Sequence, residues 1–151
     1  MSELVVEVGM KLNKSLVYYH DILIKNGLKL DFACSTHDVY YTNNILSSLW
    51  AKGEQTIKEI GKTTGLAKTS LSSMLYRMEK QNLIQKIENK EDGRSTIIKL
   101  TEKSKSLEKI YQYITDEMVI QYYNGFSEEE IRTFESTLER VVKNLEENNN
   151  G

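Results

Sequence analysis

The chain has 151 residues, of which 39% are hydrophobic and 28% charged, an ordinary composition for a soluble domain with extensions. It has no proline and one cysteine, Cys34, which excludes an internal disulfide and agrees with a reducing compartment. No segment approaches the roughly 20 apolar residues that span a bilayer, and the first residues lack the features of a secretory signal, so we expect a cytoplasmic protein with no membrane partner.

The net charge of −2 hides an uneven distribution of charge. Residues 52–105 contain 12 Lys and Arg against 7 Asp and Glu, a local charge of +5, so the remainder carries −7. A local excess of positive charge favours contact with phosphates, although an ordinary solvated surface can show the same excess.

Two helices are expected before residue 54. Hydrophobic residues at spacings of three and four indicate an amphipathic helix over residues 4–26, which Gly27 would end. After a short connector, Ser35-Thr-His-Asp38 has the pattern of a capping box and predicts a second helix that ends near Gly53.

The pattern of a helix-turn-helix with a hairpin follows. Thr56-Ile-Lys-Glu59 is a second capping box and predicts a short helix that ends at Gly65. A further helix is expected from about Lys68 to Gln81, with one apolar face. The β-branched segments 83–88 and 96–100 flank a polar turn and therefore predict a β-hairpin.

Two more helices are expected after the hairpin. Thr101 can cap the first, and Gly125 interrupts it. Ser127-Glu-Glu-Glu130 is a third capping box and begins the last helix, whose residues from Glu146 onward are expected to fray.

These elements predict a mainly α fold with a small β-hairpin wing. A winged helix-turn-helix DNA-binding domain would occupy residues 35–100, and dimerisation helices would occupy residues 1–34 and 101–151. The flanking helices carry more apolar surface than the winged unit can cover, so a homodimer is expected, with a three-helix bundle as the alternative. Two-fold symmetry would match a pseudo-palindromic operator in double-stranded DNA.

The helix that begins at Lys68 has the surface of a DNA-reading helix. Short hydroxyl side chains occupy its outer face, and the lysine at its start can pair with a phosphate. In the hairpin turn, Arg94 can enter a minor groove. The candidate DNA-binding residues are Lys68, Thr69, Ser70, Ser72, Ser73, Arg77, Lys80 and Arg94, with Asp92 as support of the wing. An ordinary surface helix and a solvated loop are the alternatives.

Three segments in this order resemble the MarR (multiple antibiotic resistance regulator) family: Leu66–Ile84, Glu91–Arg94 and Leu100–Lys103. They are similar to that family's recognition helix, Asp-x-Arg wing and Leu-Thr-x-x helix start. The resemblance implies a homodimeric transcriptional regulator, usually a repressor, that is released from DNA by a small anionic or aromatic effector or by thiol oxidation. No cofactor is predicted.

The chain departs from the family's pattern at three positions. Ala67 stands where the family usually has a hydroxyl N-cap, Asn82 replaces the usual glycine after the helix, and Ser73 stands where many relatives have a longer base-contacting side chain. The last departure means that an operator sequence cannot be transferred from relatives.

Two sensing sites are candidates. Aromatic residues on the flanking helices could line a ligand pocket, unless they only pack in the core: Tyr18, Tyr40, Tyr41, Trp50 and Tyr111. Cys34 is a candidate redox residue because His37, one turn away, could lower its pKa. These two residues, with His20 and Asp21, also offer donors to zinc, but without a Cys-x-x-Cys pair or a histidine cluster no metal site is predicted.

Two other classes of function stay open at this point. A winged helix can serve as a protein–protein interaction module without reading DNA directly. An enzyme is the weakest interpretation, because two histidines, one cysteine and no glycine-rich phosphate loop leave no convincing pair of nucleophile and base.

Overall fold

The computed structural model describes residues 2–30 and 36–149. Helices dominate these residues, and three short strands form one sheet, which confirms the predicted fold class. The elements in chain order are α1 (Ser2–Leu28), α2 (Thr36–Lys52), β1 (Gln55–Thr56), α3 (Ile57–Thr64), α4 (Lys68–Lys80), β2 (Ile84–Glu88), β3 (Thr96–Leu100), α5 (Glu102–Tyr122) and α6 (Glu128–Asn149). Within the described residues, no helix is both long and apolar enough to cross a membrane.

The chain divides into two compact units, Met1–Thr115 and Asp116–Gly151. The first unit holds all elements from α1 to β3 and most of α5, and the second holds the end of α5 with α6. The predicted domain limits at residues 34 and 101 separate the expected DNA-binding and dimerisation segments rather than compact units. They remain a prediction.

The core of the first unit is built around the apolar faces of α2 and α4. Burial of a large aliphatic side chain contributes roughly 1.5–3 kcal/mol, so this cluster supplies much of the unit's stability and fixes which face of α4 points inward. The buried hydrophobic residues are Ile24, Leu28, Leu30, Val39, Ile45, Leu46, Leu49, Ile60, Leu71, Met74, Leu75, Met78, Leu83, Ile84 and Ile98.

The sheet has the strand order β1-β3-β2, and both pairings are antiparallel. Ile84 lies opposite Leu100 and Glu88 opposite Thr96, which confirms the predicted hairpin. Strand β1 was not predicted, because two residues are too short to show an alternating pattern. Gln55 of β1 is buried, and its Nε2 donates to Ser48 Oγ of α2 at 2.9 Å.

Local capping occurs at the predicted positions that the structure describes, whereas Ser35, the start of the capping box predicted for α2, lies outside the described residues. Thr56 and Glu59 form both hydrogen bonds of a capping box, with Thr56 N donating to Glu59 Oε2 at 2.7 Å. Gly65 ends α3 at a φ of 69°, a left-handed conformation that glycine adopts without steric cost. At the start of α5, Ser104 N donates to Thr101 Oγ1 at 3.2 Å.

Gly27 does not end the first helix, contrary to the prediction. Helix α1 continues to Leu28, and Lys29 takes the left-handed conformation with a φ of 53°. A methyl group at Gly27 would overlap Ile114 Cδ1 of α5 and would lie 3.3 Å from Ile114 Cγ1. This glycine therefore permits a close approach of α1 and α5 rather than a turn of the chain.

The last helix is longer than the sequence analysis expected. It begins with the predicted capping box, in which Ser127 N donates to Glu130 Oε2 at 2.8 Å and Glu130 N donates to Ser127 Oγ at 3.2 Å. It then remains helical to Asn149, so the expectation that the chain frays from Glu146 was wrong.

Asp21 is a buried charge in α1. Its side chain is 1% exposed, and among the described residues neither carboxylate oxygen finds a hydrogen-bond partner. Loss of solvation raises the pKa of Asp21 to about 6. The same cause lowers the pKa of the neighbouring His20, so burial disfavours charge at both positions.

We expect Asp21→Asn to gain stability relative to the wild type as the pH rises from 4 to 7. The pKa of Asp21 in the folded protein, about 6, lies above the usual value of 3.8 for an aspartate in water. This group therefore stabilises the fold below pH 4, and its contribution is lost as the pH rises through 6. Urea unfolding of both proteins at pH 4, 5, 6 and 7 measures the difference in the free energy of unfolding, which should change by on the order of 2 kcal/mol between pH 4 and pH 7. A difference that does not vary with pH would contradict this assignment.

Candidate nucleic-acid interface

Helix α4 presents one polar face because its opposite face is buried. Leu71, Met74, Leu75 and Met78 point into the core. In an α-helix, residues three and four apart share a face, so the intervening side chains must lie at the surface. The exposed residues of α4 include Tyr76 and six of the nine residues predicted for the DNA interface and its support: Lys68, Thr69, Ser70, Ser72, Ser73 and Lys80.

Six of these seven exposed residues, all except Tyr76, are among the predicted DNA-binding residues. They share the outer face of one helix because the four buried residues leave no other orientation for it.

The two ends of α4 differ in how their backbone groups are bound. Ala67 provides no side-chain cap at the start, and the first turn contains no acidic residue. The N–H groups of that turn therefore favour an anion. At the other end, Asn82 has a φ of 57°, Thr101 Oγ1 donates to its carbonyl oxygen at 2.7 Å, and Lys103 Nζ donates to Gln81 O at 2.9 Å. These bonds tie the end of α4 to the start of α5.

Arg77 lies apart from the exposed face of α4. Its Nη2 donates to Asp38 Oδ1 at 3.1 Å and contacts Met74 Sδ at 2.8 Å. The ion pair joins α4 to the first turn of α2, and both side chains are largely covered, with 32% and 17% of their surfaces exposed. The structure thus places Arg77 where it orients α4, rather than on the face predicted to meet DNA.

Tyr76 is a surface residue to which the sequence analysis gave no role. It lies four residues after Ser72 and three after Ser73, so all three share one face of the helix. Its side chain is 57% exposed, and Lys80 Nζ lies 5.4 Å from the centre of its ring. The helical spacing alone places it on this face, where it is the aromatic group among hydroxyls.

The tip of the wing is ordered by its own hydrogen bonds. Asp92 Oδ1 accepts from Arg94 N at 3.1 Å, and Asp92 O accepts from Ser95 N at 3.0 Å. Asn89 Nδ2 donates to Ser95 Oγ at 2.8 Å across the base of the turn. Asp92 therefore holds the backbone of the turn, while the side chain of Arg94 extends into solvent.

The wing and the start of α4 face each other across a groove of about 540 Å³. Lys68 of α4 and Arg94 of the wing both line it, together with residues of α3. The structure thus brings together two cations that are 26 positions apart in the sequence. This juxtaposition could not be seen in the helix or in the hairpin alone.

The aromatic residues predicted to line a ligand pocket form two contacting pairs. Trp50 and Tyr111 have ring centres 5.0 Å apart, and Trp50 Nε1 donates to Ser104 O at 3.0 Å. Tyr40 and Tyr41 pack edge to face at 5.1 Å. Tyr18 is exposed on α1. The Trp50 pair therefore joins α2 to α5, and a role in ligand binding stays a prediction.

The predicted redox residue, Cys34, lies outside the described residues, as does the side chain of His37. No group of three or more His, Cys, Asp or Glu side chains that could hold a metal ion occurs within residues 2–30 and 36–149.

Comparisons with known proteins agree on one family. Residues 44–96 match the model of the MarR family. The chain is 32% identical over 103 residues to the HTH-type transcriptional repressor IacR of Pseudomonas putida, a match that covers 68% of this chain and 61% of that repressor. It therefore spans about three fifths of the length of this relative.

Two solved structures share the fold. A mutant of MarR from E. coli complexed with operator DNA superposes with a TM-score of 0.69 at 19% identity, over 93% of this chain and 97% of that one. The PcaV transcriptional regulator from Streptomyces coelicolor in complex with its natural ligand gives a TM-score of 0.66 at 15% identity, over 90% and 89%. Both likenesses concern the fold.

We expect Ala67→Ser to stabilise the protein by about 1 kcal/mol, because a hydroxyl at this position can accept from an N–H group of the first turn of α4. Urea unfolding of the variant and the wild type at one pH measures the gain. Ala51→Ser, at an exposed position inside α2, makes the same chemical change where no free N–H group needs a cap. If both variants shift the unfolding midpoint equally, the start of α4 is not uncapped.

Proposed function

Because the chain belongs to the MarR family, we propose that it is a homodimeric transcriptional regulator that binds a specific site in double-stranded DNA. The observation that carries this proposal is the seating of α4: a buried apolar back, an exposed face of hydroxyls, and a cationic wing across a groove from its start. We further propose that it acts as a repressor and that it is located in the cytoplasm, together with the DNA that it binds. We also propose that it is not an enzyme.

In this proposal the exposed face of α4 enters the major groove. Lys68 at the start of the helix pairs with a phosphate, helped by the uncapped N–H groups of the first turn. Thr69, Ser72 and Ser73 are short enough to let the backbone approach the base edges and can donate to them or accept from them. Tyr76 adds an apolar edge suited to contact with a thymine methyl group.

The wing contributes a separate contact. The exposed Arg94 would enter the minor groove, where the negative potential is strongest in narrow segments. Asp92 Oδ1 accepts a hydrogen bond from Arg94 N, so the backbone that carries this arginine is ordered. Arg77 positions α4 through Asp38 in this account and does not itself touch a base.

Similar proteins support both the proposed binding of DNA and its modulation by a ligand. IacR is named a transcriptional repressor, and the MarR structure with the same fold holds operator DNA. PcaV is described with a natural ligand, which supports the idea that a small aromatic or anionic effector modulates DNA binding here too.

A homodimer is proposed because both ends of the chain expose apolar side chains. In α1, Val8 and Met10 are 52% and 69% exposed, and in α6 Val142 and Leu145 are 46% and 61% exposed. Such side chains gain stability when a second copy covers them. Two-fold symmetry would then place two α4 helices about 34 Å apart, one turn of DNA, opposite the halves of a pseudo-palindromic site.

The second candidate function is a protein–protein interaction module. It would use the same exposed face of α4 but would not depend on the cationic wing. Binding to DNA that is independent of salt concentration, or absent, would favour it.

The wing supplies one test of the proposal. Arg94→Ala is expected to weaken binding to a duplex selected by the wild type from a random pool, and to lower the slope of log K against log salt by about one. Fluorescence anisotropy at several salt concentrations measures both quantities. Arg132→Ala removes another exposed arginine, from α6, and should leave both unchanged. An unaltered slope in Arg94→Ala would remove the wing from the mechanism.

The dimer supplies a second test. Sedimentation equilibrium at micromolar concentration is expected to give twice the chain mass of 17.5 kDa. Leu145→Lys, which puts a charge into an exposed apolar position of α6, should raise the dissociation constant at least tenfold. Asn144→Lys adds the same charge beside it, outside the apolar stripe, and should have little effect. A wild-type species of single chain mass would refute the dimer.

A further inference from the structure

We propose that Tyr76 makes DNA binding depend on the 5-methyl group of a pyrimidine, so that the protein selects thymine and accepts 5-methylcytosine at one position of each half-site. The affinity for such a site would therefore respond to methylation of cytosine. This inference rests on the proposed function, because it concerns the face of α4 that is proposed to enter the major groove.

Tyr76 is the large apolar side chain on the exposed face of α4. The structure describes every residue of this helix, and the aliphatic side chains of the helix lie on its buried face. The other exposed side chains end in hydroxyl, ammonium or carboxylate groups: Lys68, Thr69, Ser70, Ser72, Ser73, Glu79 and Lys80. The side chain of Tyr76 is 57% exposed, although burial of an aromatic ring is strongly favourable. A partner that covers this ring therefore gains affinity from it.

The neighbours of Tyr76 leave its ring accessible. Ser72 and Ser73 lie one turn earlier on the same face and are too short to cover it. One turn later, Lys80 Nζ lies 5.4 Å from the ring centre, so its ammonium group is attracted to one face of the ring. The carboxylate of Glu79 pairs with Lys86 of β2 at 3.3 Å. The negative charge beside the ring is thus compensated and does not oppose the approach of DNA.

The major groove offers an apolar group that matches this ring. The base edges there present hydrogen-bond donors and acceptors, and thymine adds its 5-methyl group. The hydroxyl groups around Tyr76 can pair with the donors and acceptors, whereas the carbon atoms of the ring cannot. Contact between the ring and the methyl group removes both from water, and burial of one methyl group raises affinity by about fourfold.

Methylated cytosine presents the same group at the same place. Its methyl group is also bound to C5 of a pyrimidine, but an amino group replaces the carbonyl oxygen of thymine at C4. A side chain that forms a hydrogen bond with the base would distinguish the two bases, whereas a ring that contacts only the methyl group does not. At this position thymine and 5-methylcytosine should therefore bind more tightly than uracil and cytosine.

The first experiment removes methyl groups from the DNA. In a duplex that the wild type selects from a random pool, each thymine and its symmetry mate are replaced in turn by deoxyuridine, and fluorescence anisotropy measures binding of the full chain. At one symmetric pair the affinity should fall by about fourfold for each methyl group, hence by roughly sixteenfold for the pair. Tyr76→Phe keeps the ring and should keep this loss. Tyr76→Ser should bind the thymine and deoxyuridine duplexes equally.

The second experiment adds a methyl group to cytosine. At the pair of positions found in the first experiment, each thymine is replaced by cytosine, either unmodified or methylated at C5. Methylation should raise the affinity of the wild type by about fourfold for each methyl group and should leave that of Tyr76→Ser unchanged.

Arg94→Ala is the matched control for both experiments. Arg94 is proposed to contact the minor groove, where the 5-methyl group is not presented. This variant should weaken binding to every duplex and preserve the ratios between methylated and unmethylated DNA. Thermal unfolding followed by circular dichroism verifies that each variant is folded.

The outcomes separate this inference from the proposed function. Salt-dependent binding of the wild type, with no loss at any deoxyuridine, would overturn the inference and leave the proposed function standing. A loss that persists in Tyr76→Ser would assign the methyl contact to another side chain and would overturn it too. Equal binding of both duplexes by Tyr76→Phe would assign the contact to the hydroxyl group, which is also contrary to the inference. Absence of binding to any duplex would refute the proposed function together with the inference.

Discussion

Burial of the apolar back of α4 is the interaction on which the rest of the structure depends. Leu71, Met74, Leu75 and Met78 take part in one core with residues of α1, α2, α3 and the sheet. Rotating the helix would expose these side chains at a cost of roughly 1.5–3 kcal/mol each. The polar face is exposed to solvent because the apolar face is held in the core.

Hydrogen bonds and an ion pair then define the position of α4 more closely than the apolar core does. The Arg77–Asp38 ion pair joins α4 to α2, and the bonds from Thr101 and Lys103 hold the end of α4 against α5. Hydrophobic burial is not directional, so it cannot by itself set the position of a helix along its axis. A helix that must meet successive base pairs needs that position to be defined, and these contacts define it.

The start of α4 and the wing line one groove because three separate elements meet there. The wing is ordered by Asp92 and Asn89, and it leaves a gap to the start of α4. Residues of α3 supply an apolar floor to that gap. Lys68 and Arg94, the two cations proposed to contact DNA from the helix and from the wing, therefore lie across one gap.

The sequence by itself determined the helices, the hairpin and the outer face of α4, because capping boxes such as Thr56–Glu59 and apolar spacings depend on residues three or four apart. Tertiary structure decided what depends on distant partners. Arg77 meets Asp38 across 39 positions, Gly27 serves an approach of α5 rather than a helix end, and the two-residue strand β1 exists only through its pairing with β3. The spacing of residues along the chain does not indicate such contacts, since each arises only when separate elements pack together.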